Sequence, residues 1–316
     1  MITVNEAMNK ILDLFEPLSI ENINLRNAAN RVLAVDAIAN RSQPPFASSA
    51  MDGYAVRNID VKTGRTLRVI GESVAGDAFD GIVKDGEAVR IFTGAPVPVG
   101  ADRILIQEDC NRDGAAIEVR DFIDSNRYIR PAGGDFKAGD VISAPRLLSA
   151  GDIALLASMN CEILQVYRKP SVALIATGDE LVMPGENPGP CQIISSNNFG
   201  LKALIEANGG QARILPIASD EMGSLKAVLE LASQADVIVT LGGASVGERD
   251  LVRAVATEAG LDQAFYKVAM RPGKPLIAGK LNGKAMIGLP GNPVSSMVCG
   301  TVFLIPALRV MLGLGK

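Results

Sequence analysis

Histidine is absent from all 316 residues. That removes the usual general base near neutral pH and the commonest zinc ligand. Acid–base or metal chemistry must then use Asp, Glu, Lys or Arg, which favours a hard cation such as Mg²⁺. Tryptophan is absent too, and aromatic residues make up 4% of the chain, so its core is aliphatic. The four cysteines, Cys110, Cys161, Cys191 and Cys299, are far apart and form no C-x-x-C pair. They read as buried thiols of a reducing compartment, the cytoplasm. Basic blocks are missing: the net charge is −4 and Lys and Arg are spread along the chain, which argues against a nucleic-acid partner. The first ten residues contain Glu6 and no apolar core, so they are not a signal peptide. Val294–Leu312 is apolar, but Ser295, Ser296, Pro306 and Arg309 interrupt it. It reads as a buried helix covering a sheet, with no membrane partner.

What is present is a long, patterned chain with 48% apolar residues, enough for two or three domains. Thr3–Leu18 is amphipathic, with Ala7, Ile11, Leu14 and Leu18 on one face and a Thr3/Glu6 capping-box pattern. Asn27–Ala39 reads as a helical turn and a strand. Ser42–Asp52 is a Pro- and Ser-rich loop whose neighbours Phe46, Met51 and Tyr54 are large to leave in water, so it should fold onto something and hold Asp52 at its tip. Thr66–Ile142 is a series of short β-rich runs punctuated by Asp85-Gly86, Asp113-Gly114 and Gly133-Gly134, which predicts a barrel or sandwich. Ser149–Met159 predicts a helix. From Ser171 strand and helix alternate, so the last part is a doubly wound α/β domain with ligand loops at the carboxyl ends of its strands. The chain is therefore read as an α/β multidomain protein. Residues 1–46 with 139–169 form an elongated, discontinuous N-terminal linker domain, 47–138 a β-rich domain and 170–316 the α/β domain.

The α/β half carries the clearest chemistry. Asp236–Leu241 predicts a buried strand, followed by Gly242-Gly243-Ala244-Ser245-Val246-Gly247 and a helix opening near Glu248. Strand, Gly-rich loop and helix make a backbone N–H cradle for an anion, with a helix dipole behind it. Lys284–Leu289 repeats the arrangement: Pro290-Gly291 is a turn, Asn292 an N-cap and Pro293 the first helical residue. Arg271 and Lys274 lie on a turn between the two loops. One such loop is ordinary; two within about 50 residues, with a basic turn between them, point to a phosphate-bearing ligand. Lys267 and Arg271 are four residues apart on or beside a predicted strand, Gln263–Met270, which would put both cations on one face. Solvated strand-edge charges are the plainer alternative. Asp179, Glu180, Asp220 and Asp250 lie at proposed ligand edges and are candidate Mg²⁺ ligands. For Asp220 and Asp250 helix capping is the competing reading.

These loops resemble the molybdopterin-binding domain of molybdenum-cofactor biosynthesis proteins. Pro44-Pro45-Phe46-Ala47-Ser48-Ser49-Ala50-Met51-Asp52-Gly53-Tyr54 narrows the resemblance to the molybdopterin molybdenumtransferase family, that of MoeA and the gephyrin E domain. Thr93-Gly-Ala-Pro-Val-Pro98, Thr177-Gly-Asp-Glu-Leu181 and Ser195-Ser-Asn197 fall in that family's order. The resemblance implies a Mg²⁺-dependent transferase that inserts molybdate into adenylylated molybdopterin and releases AMP. It implies catalytic roles for Asp52, Asp135, Glu180 and Asp250. Substrate contacts are implied for Thr93, Arg130, Thr177, Gly178, Ser195 and Asn197. They are also implied for Gly242, Gly243, Ser245, Gly247, Pro290, Gly291 and Pro293, and for the cations Lys267, Arg271 and Lys274. One of the ligand-edge carboxylates would serve as a partner for the pterin ring's N–H groups. The family also implies a homodimer whose active site is shared between subunits, and a molybdopterin adenylyltransferase as a partner. Two other functions stand beside this one: adenylylation of molybdopterin, and a non-catalytic carrier or scaffold. The sequence departs from the family pattern at Ala47-Ser48, where Asp-Asn is frequent, and at Arg271, where lysine is common. Family members usually carry a small β domain after the equivalent of Leu312, and this sequence ends at Lys316.

Overall fold

The computed structural model describes residues 1–242 and 251–315. The chain divides into two compact units: Met1–Asp36 with Ser143–Ile153 and Ile163–Lys316, and Ala37–Ile142 with Ala154–Glu162.

The first unit is built on a six-stranded sheet, counted among the described residues. Its order is Gln211–Ile214, Ser171–Ala176, Val237–Leu241, Lys284–Leu289, Ile277–Leu281, Leu261–Tyr266. The first four strands run parallel, and the last two join antiparallel. Their period of two sends alternate side chains to opposite faces. Val172 and Leu174 enter one apolar cluster, with Leu201 and Ile205 of helix Asn197–Ala207 and Phe303 and Leu308 further on. Ala173 and Ile175 enter another, beneath helices Met222–Leu231 and Leu251–Glu258. Helices on both faces explain why the central strands read as unbroken apolar runs. Asn282-Gly283, with φ of 50° and 78°, makes the two-residue turn between Ile277–Leu281 and Lys284–Leu289. Left-handed backbone at both positions suits the twist of a hairpin.

The N-terminal helix is Val4–Leu12, with the expected capping box: Glu6 N–H donates to Thr3 Oγ1 at 3.2 Å and Thr3 N–H to Glu6 Oε2 at 2.7 Å. It stops short of Leu18 because Pro17 and its predecessor resist helical geometry. Leu14 and Leu18 still pack against the same cluster as Ala7 and Ile11. At the other end, Pro293–Cys299, a π-helical turn Gly300–Leu304 and Ile305–Met311 form one continuous 19-residue helix. It is long and apolar enough to cross a membrane, yet 56% of its most apolar window is buried against the unit's own core. A smaller sheet, in the order Ile20–Asn24, Ile163–Tyr167, Val32–Leu33, Arg146–Leu147, completes the unit.

In the second unit the expected barrel or sandwich resolves into a six-stranded sheet and two two-stranded pairs, Ser48–Ser49 with Ile129–Arg130 and Ala37–Ile38 with Val141–Ile142, among the described residues. The order of the six-stranded sheet is Arg103–Ile106, Gly53–Val56, Glu87–Ile91, Thr66–Ser73, Ala116–Val119, Cys110–Asp113. Tyr54 and Val56 enter one cluster, and Ala55 with Val89 and Ile91 another. Tyr54 is buried, as its size demands, but Phe46 and Met51 remain about 40% exposed, at 43% and 40%. The loop around Asp52 therefore does not bury all its large residues.

One ion pair fixes the entry of the central strands. Arg168 donates from Nη1 and Nη2 to the two oxygens of Asp236, each at 2.8 Å, and the Ser171 amide adds a third bond at 2.8 Å. Burial pushes the Asp236 carboxyl up, but Arg168 and the Ser171 N–H outweigh it and hold it below its ordinary value of 3.8. A depressed carboxyl contributes stability that is complete above its unfolded value and is lost as pH falls through its folded value. Asp236→Ala should therefore cost about 1–2 kcal/mol in urea unfolding at pH 7. The gap to the parent chain should close as pH drops below 3.8; a gap that persists unchanged to pH 2 would show that the pair contributes by packing alone.

Candidate active site

The carboxyl ends of three neighbouring strands in the first unit are stitched together by their backbones. Thr177 N–H donates to Leu241 O at 3.0 Å, Gly242 N–H to Leu289 O at 3.2 Å, and Gly178 N–H to Ala218 O at 3.1 Å. The approach is tightest at Gly242, where a side chain has no room. A Cβ on Gly242 would sit 2.9 Å from the Thr177 carbonyl oxygen, and one on Gly291 would sit 3.4 Å from Gly242 Cα. Asn197 Nδ2 donates to Gly291 O at 2.7 Å and Ser296 Oγ to Pro290 O at 2.9 Å, tying two helix starts to the same turn.

Above these ends lies a pocket of about 130 Å³, lined by Thr177, Glu180, Ser195, Asn197, Gly242 and Gly291, with Pro293 beside them. All seven were candidates from the sequence. Helix Asn197–Ala207 opens on this pocket, and its N-cap residue Ser196 makes no capping side-chain bond. Helix Pro293–Cys299 differs: Asn292 caps it by accepting from Ser295 N at 3.1 Å, and Pro293 stands in its first turn, as expected. Gly178, with φ of 140°, lets the chain fold so that the Glu180 carboxylate covers it. A Cβ at Gly178 would lie 2.3 Å from Glu180 Oε2.

Asp179 faces elsewhere: its Oδ1 accepts from the Asp220 amide at 3.0 Å. Neither residue lines the pocket, nor does Pro290. Gly243, Ser245, Gly247 and Asp250 lie outside the described residues. No group of three His, Cys, Asp or Glu side chains that could hold a metal ion occurs among the described residues.

The cations need a correction. The strand expected over Gln263–Met270 ends at Tyr266, and Lys267 follows it with φ of 72°. Lys267 and Arg271 are therefore not two residues of one strand face. Left-handed backbone at Lys267 ends the extended run, and Val268 N–H turns to Lys274 O at 3.0 Å. The loop 267–276 nevertheless reaches the ligand edge. Tyr266 pairs with Ile277 and Ile277 with Gly288, so the loop leaves the sheet at the end where Pro290-Gly291 lies. Lys267 is half-buried, whereas Arg271 and Lys274 are exposed.

The second unit gathers the other candidates in two pairs. Asp52 Oδ1 accepts from Thr93 N and Thr93 Oγ1, both at 2.8 Å. These two bonds, with Arg90 nearby, hold the Asp52 carboxyl below its ordinary range. Asp52 is therefore a carboxylate at neutral pH, fit to accept hydrogen bonds or meet a cation and poor as a base. Arg130 Nη2 contacts both oxygens of Asp135, at 2.8 and 2.7 Å. Strand pairing of Ser48 with Arg130 joins the two pairs.

Sequence reasoning missed several pocket residues. Leu181, Ile193, Ile194 and Ser196 also line it, the first three from a two-stranded parallel pair, Leu181–Val182 with Ile193–Ile194. Asn198 is wholly buried behind it and accepts from Ser195 Oγ at 3.3 Å. Two-residue strands carry too little periodicity to read. Asn198 stood one residue beyond a recognised motif, and its burial was the missing signal.

Comparison with known proteins accords with this geometry. Residues 2–160 match the family model described as MoeA N-terminal region (domain I and II), and 173–310 match the probable molybdopterin binding domain. The chain is 39% identical over 318 residues to the molybdopterin molybdenumtransferase of Haemophilus influenzae, covering 99% of this chain and 78% of that protein. It is 33% identical to the protein of the same name from Nostoc sp., covering 99% of this chain and 74% of that one. A crystal structure of the molybdopterin biosynthesis MoeA protein from Pyrococcus horikoshii superposes with a TM-score of 0.85 at 32% identity, over 99% of this chain and 80% of that one. With both halves matched in order and relatives this similar along its whole length, the chain belongs to the MoeA family of molybdopterin molybdenumtransferases.

Proposed function

We propose that the chain is a transferase of molybdenum cofactor biosynthesis that inserts molybdenum into molybdopterin. The observation that carries this reading is the 39% identity to a molybdopterin molybdenumtransferase over 99% of the chain, on a fold whose strand ends form the pocket described. The finer reading takes adenylylated molybdopterin and molybdate as substrates and AMP as a product. The open helix start at Asn197, beside the Gly291 backbone in the pocket wall, suits the phosphates. Lys267 and Arg271, on the loop at the same sheet edge, suit the molybdate dianion through charge-assisted hydrogen bonds. Ser195 offers a polar atom in the pocket, its hydroxyl donating to the buried Asn198 behind it.

Mg²⁺ fits the donors present. It keeps several waters and takes one or two carboxylates together with substrate phosphate oxygens, so it needs no three-carboxylate cage. Glu180 at the pocket would hold the ion together with substrate phosphate oxygens, and the ion would neutralise charge on the diphosphate. The chain's own residues then act by binding and orientation: with no histidine, and with Asp52 held ionised, proton transfer is not what the site is built for. A cytoplasmic location and an encounter with a molybdopterin adenylyltransferase belong to the same proposal.

The test is molybdate-dependent AMP release from adenylylated molybdopterin in the presence of Mg²⁺. Molybdate-independent binding without AMP release would leave a carrier, and AMP incorporation would leave an adenylyltransferase. Glu180→Gln should lower turnover by at least about tenfold, the effect of losing one charged contact, with little change in melting temperature. Gly178→Ala should do the same by expelling the Glu180 carboxylate. If Gly178→Ala is fully active, that carboxylate has no role in the reaction.

We also infer a homodimer with active sites shared between subunits, supported by the separate polar groups on the two units. Light scattering should give twice the chain mass. Mixing Asp52→Ala with Glu180→Gln protein under exchange conditions should restore up to about a quarter of parent activity, the statistical share of intact shared sites in a randomised dimer. Failure of the mixture to gain activity over either variant, with exchange verified by mass, would place each site within one chain.

A further inference from the structure

We propose that Tyr266 and Ile2 are positioning residues that hold Lys267 where it meets the substrate oxyanion. The proposal rests on the reading that Lys267 binds molybdate, and concerns what keeps it in place.

Lys267 has φ of 72°, a backbone conformation that a residue with a Cβ avoids. Such a conformation persists only where its surroundings over-determine it. Here they do. Lys267 N–H donates to Leu276 O at 2.9 Å, and Lys267 O accepts from Ile2 N–H at 3.3 Å. Two residues on, Ala269 N–H donates to Ile2 O at 2.8 Å. Ile2 thus brackets Val268 as a parallel bridge, joining the start of the chain to a loop far along it. Val268 is fully buried, and Ile2 packs against the same apolar cluster. The neighbouring Thr3 is locked by the capping box of the first helix, so Ile2 is itself anchored.

The side chain is held from the other side. Successive residues of a strand point to opposite faces, so a lysine continuing the strand would point away from Tyr266. The reversal at Lys267 instead brings its Nζ over the Tyr266 ring, 4.7 Å from the centroid. Arg253 lies over the same ring at 4.8 Å and its Nε donates to Gln263 Oε1 at 3.2 Å. An aromatic face attracts an ammonium without neutralising it as a carboxylate would. The ring face thus orients the cation without a carboxylate partner of its own among the described residues. Among these residues Arg271 and Lys274, exposed on the same loop, are not held over a ring in this way.

The experiment measures the half-saturating molybdate concentration for AMP release, and molybdate binding by calorimetry, in four variants. Lys267→Met should raise the molybdate requirement about ten- to a hundredfold. Tyr266→Leu should raise it about two- to fivefold, and Tyr266→Phe, which keeps the ring, should restore it. Ile2→Pro removes the donor to Lys267 O; it should raise the requirement and speed hydrogen exchange of the Ala269 amide. In a Lys267→Met background, neither Tyr266→Leu nor Ile2→Pro should have a further effect on molybdate. If Lys267→Met leaves molybdate affinity unchanged, the assignment of Lys267 fails and this proposal with it. If Lys267→Met weakens molybdate but Tyr266→Leu and Ile2→Pro do not, or if they weaken it equally without the lysine, the assignment stands and the positioning roles are overturned.

Discussion

The first unit depends on how closely three backbones approach where their strands end. At Gly242 the approach excludes a Cβ, since the Thr177 carbonyl oxygen lies 2.9 Å from where one would stand, and Gly291 packs directly against Gly242. The amides of Thr177, Gly178 and Gly242 are spent on bonds between the strand ends. The same closeness makes the cluster rigid. Each of the three ends bonds to its neighbour, and Asn197 and Ser296 fasten the Pro290-Gly291 turn from the helices on either side. Alanine at Gly242 would meet the Thr177 backbone rather than a movable side chain, so the strands themselves would have to separate. The apolar clusters on both sheet faces resist that separation, since the same strands that end at the pocket contribute Val172, Leu174, Val239 and Leu241 to the core.

Electrostatics divides the remaining polar groups by task. Asp52 is kept ionised by two hydrogen bonds from Thr93, and Arg130 and Asp135 neutralise one another on exposed loops. Glu180 stands at the pocket, while the cations stand on a loop at the edge of the same sheet. Unlike charges are thus kept on separate loops, so that cations and carboxylate do not cancel one another. A chain without histidine suits chemistry governed by positioning and charge more than by proton movement.

Much of this was legible in the sequence, and for identifiable reasons. Buried parallel strands, capped helices and glycine turns write strong local signals: Ser171–Ala176, the Thr3/Glu6 box and the Asn292-Pro293 start all appear where residue type demanded them. The pocket candidates Thr177, Glu180, Ser195, Asn197, Gly242 and Gly291 were readable because a ligand loop at a strand end is made of small residues and turn formers. What failed was whatever depends on tertiary placement. Phe46 and Met51 look too large for water, yet each stays about two-fifths exposed among the described residues. The run Gln263–Met270 has the composition of one strand, and nothing local announces that Lys267 turns back. Ile2 supplies the reason from the far end of the chain, beyond the reach of any sequence window. Asn282-Gly283, by contrast, was a hairpin signal present in the sequence and not taken up, so the antiparallel half of the sheet went unread.

That antiparallel half has a consequence for the site. In a wholly parallel sheet each loop at the ligand edge leads into a helix, and the edge gains amides and dipoles but few long cations. Here Lys284–Leu289 is preceded by Ile277–Leu281 through a two-residue turn at the opposite edge, and Leu261–Tyr266 pairs antiparallel to it. Two reversals return the chain to the ligand edge without a helix, and the loop that makes the crossing, 267–276, carries Lys267, Arg271 and Lys274. Because Ile277 is paired with Gly288, the distance from this loop to the Pro290-Gly291 turn is set by sheet hydrogen bonds, which are short and stiff. A departure from the doubly wound pattern is thus what places three positive side chains beside a cradle that backbone amides alone would leave weakly charged.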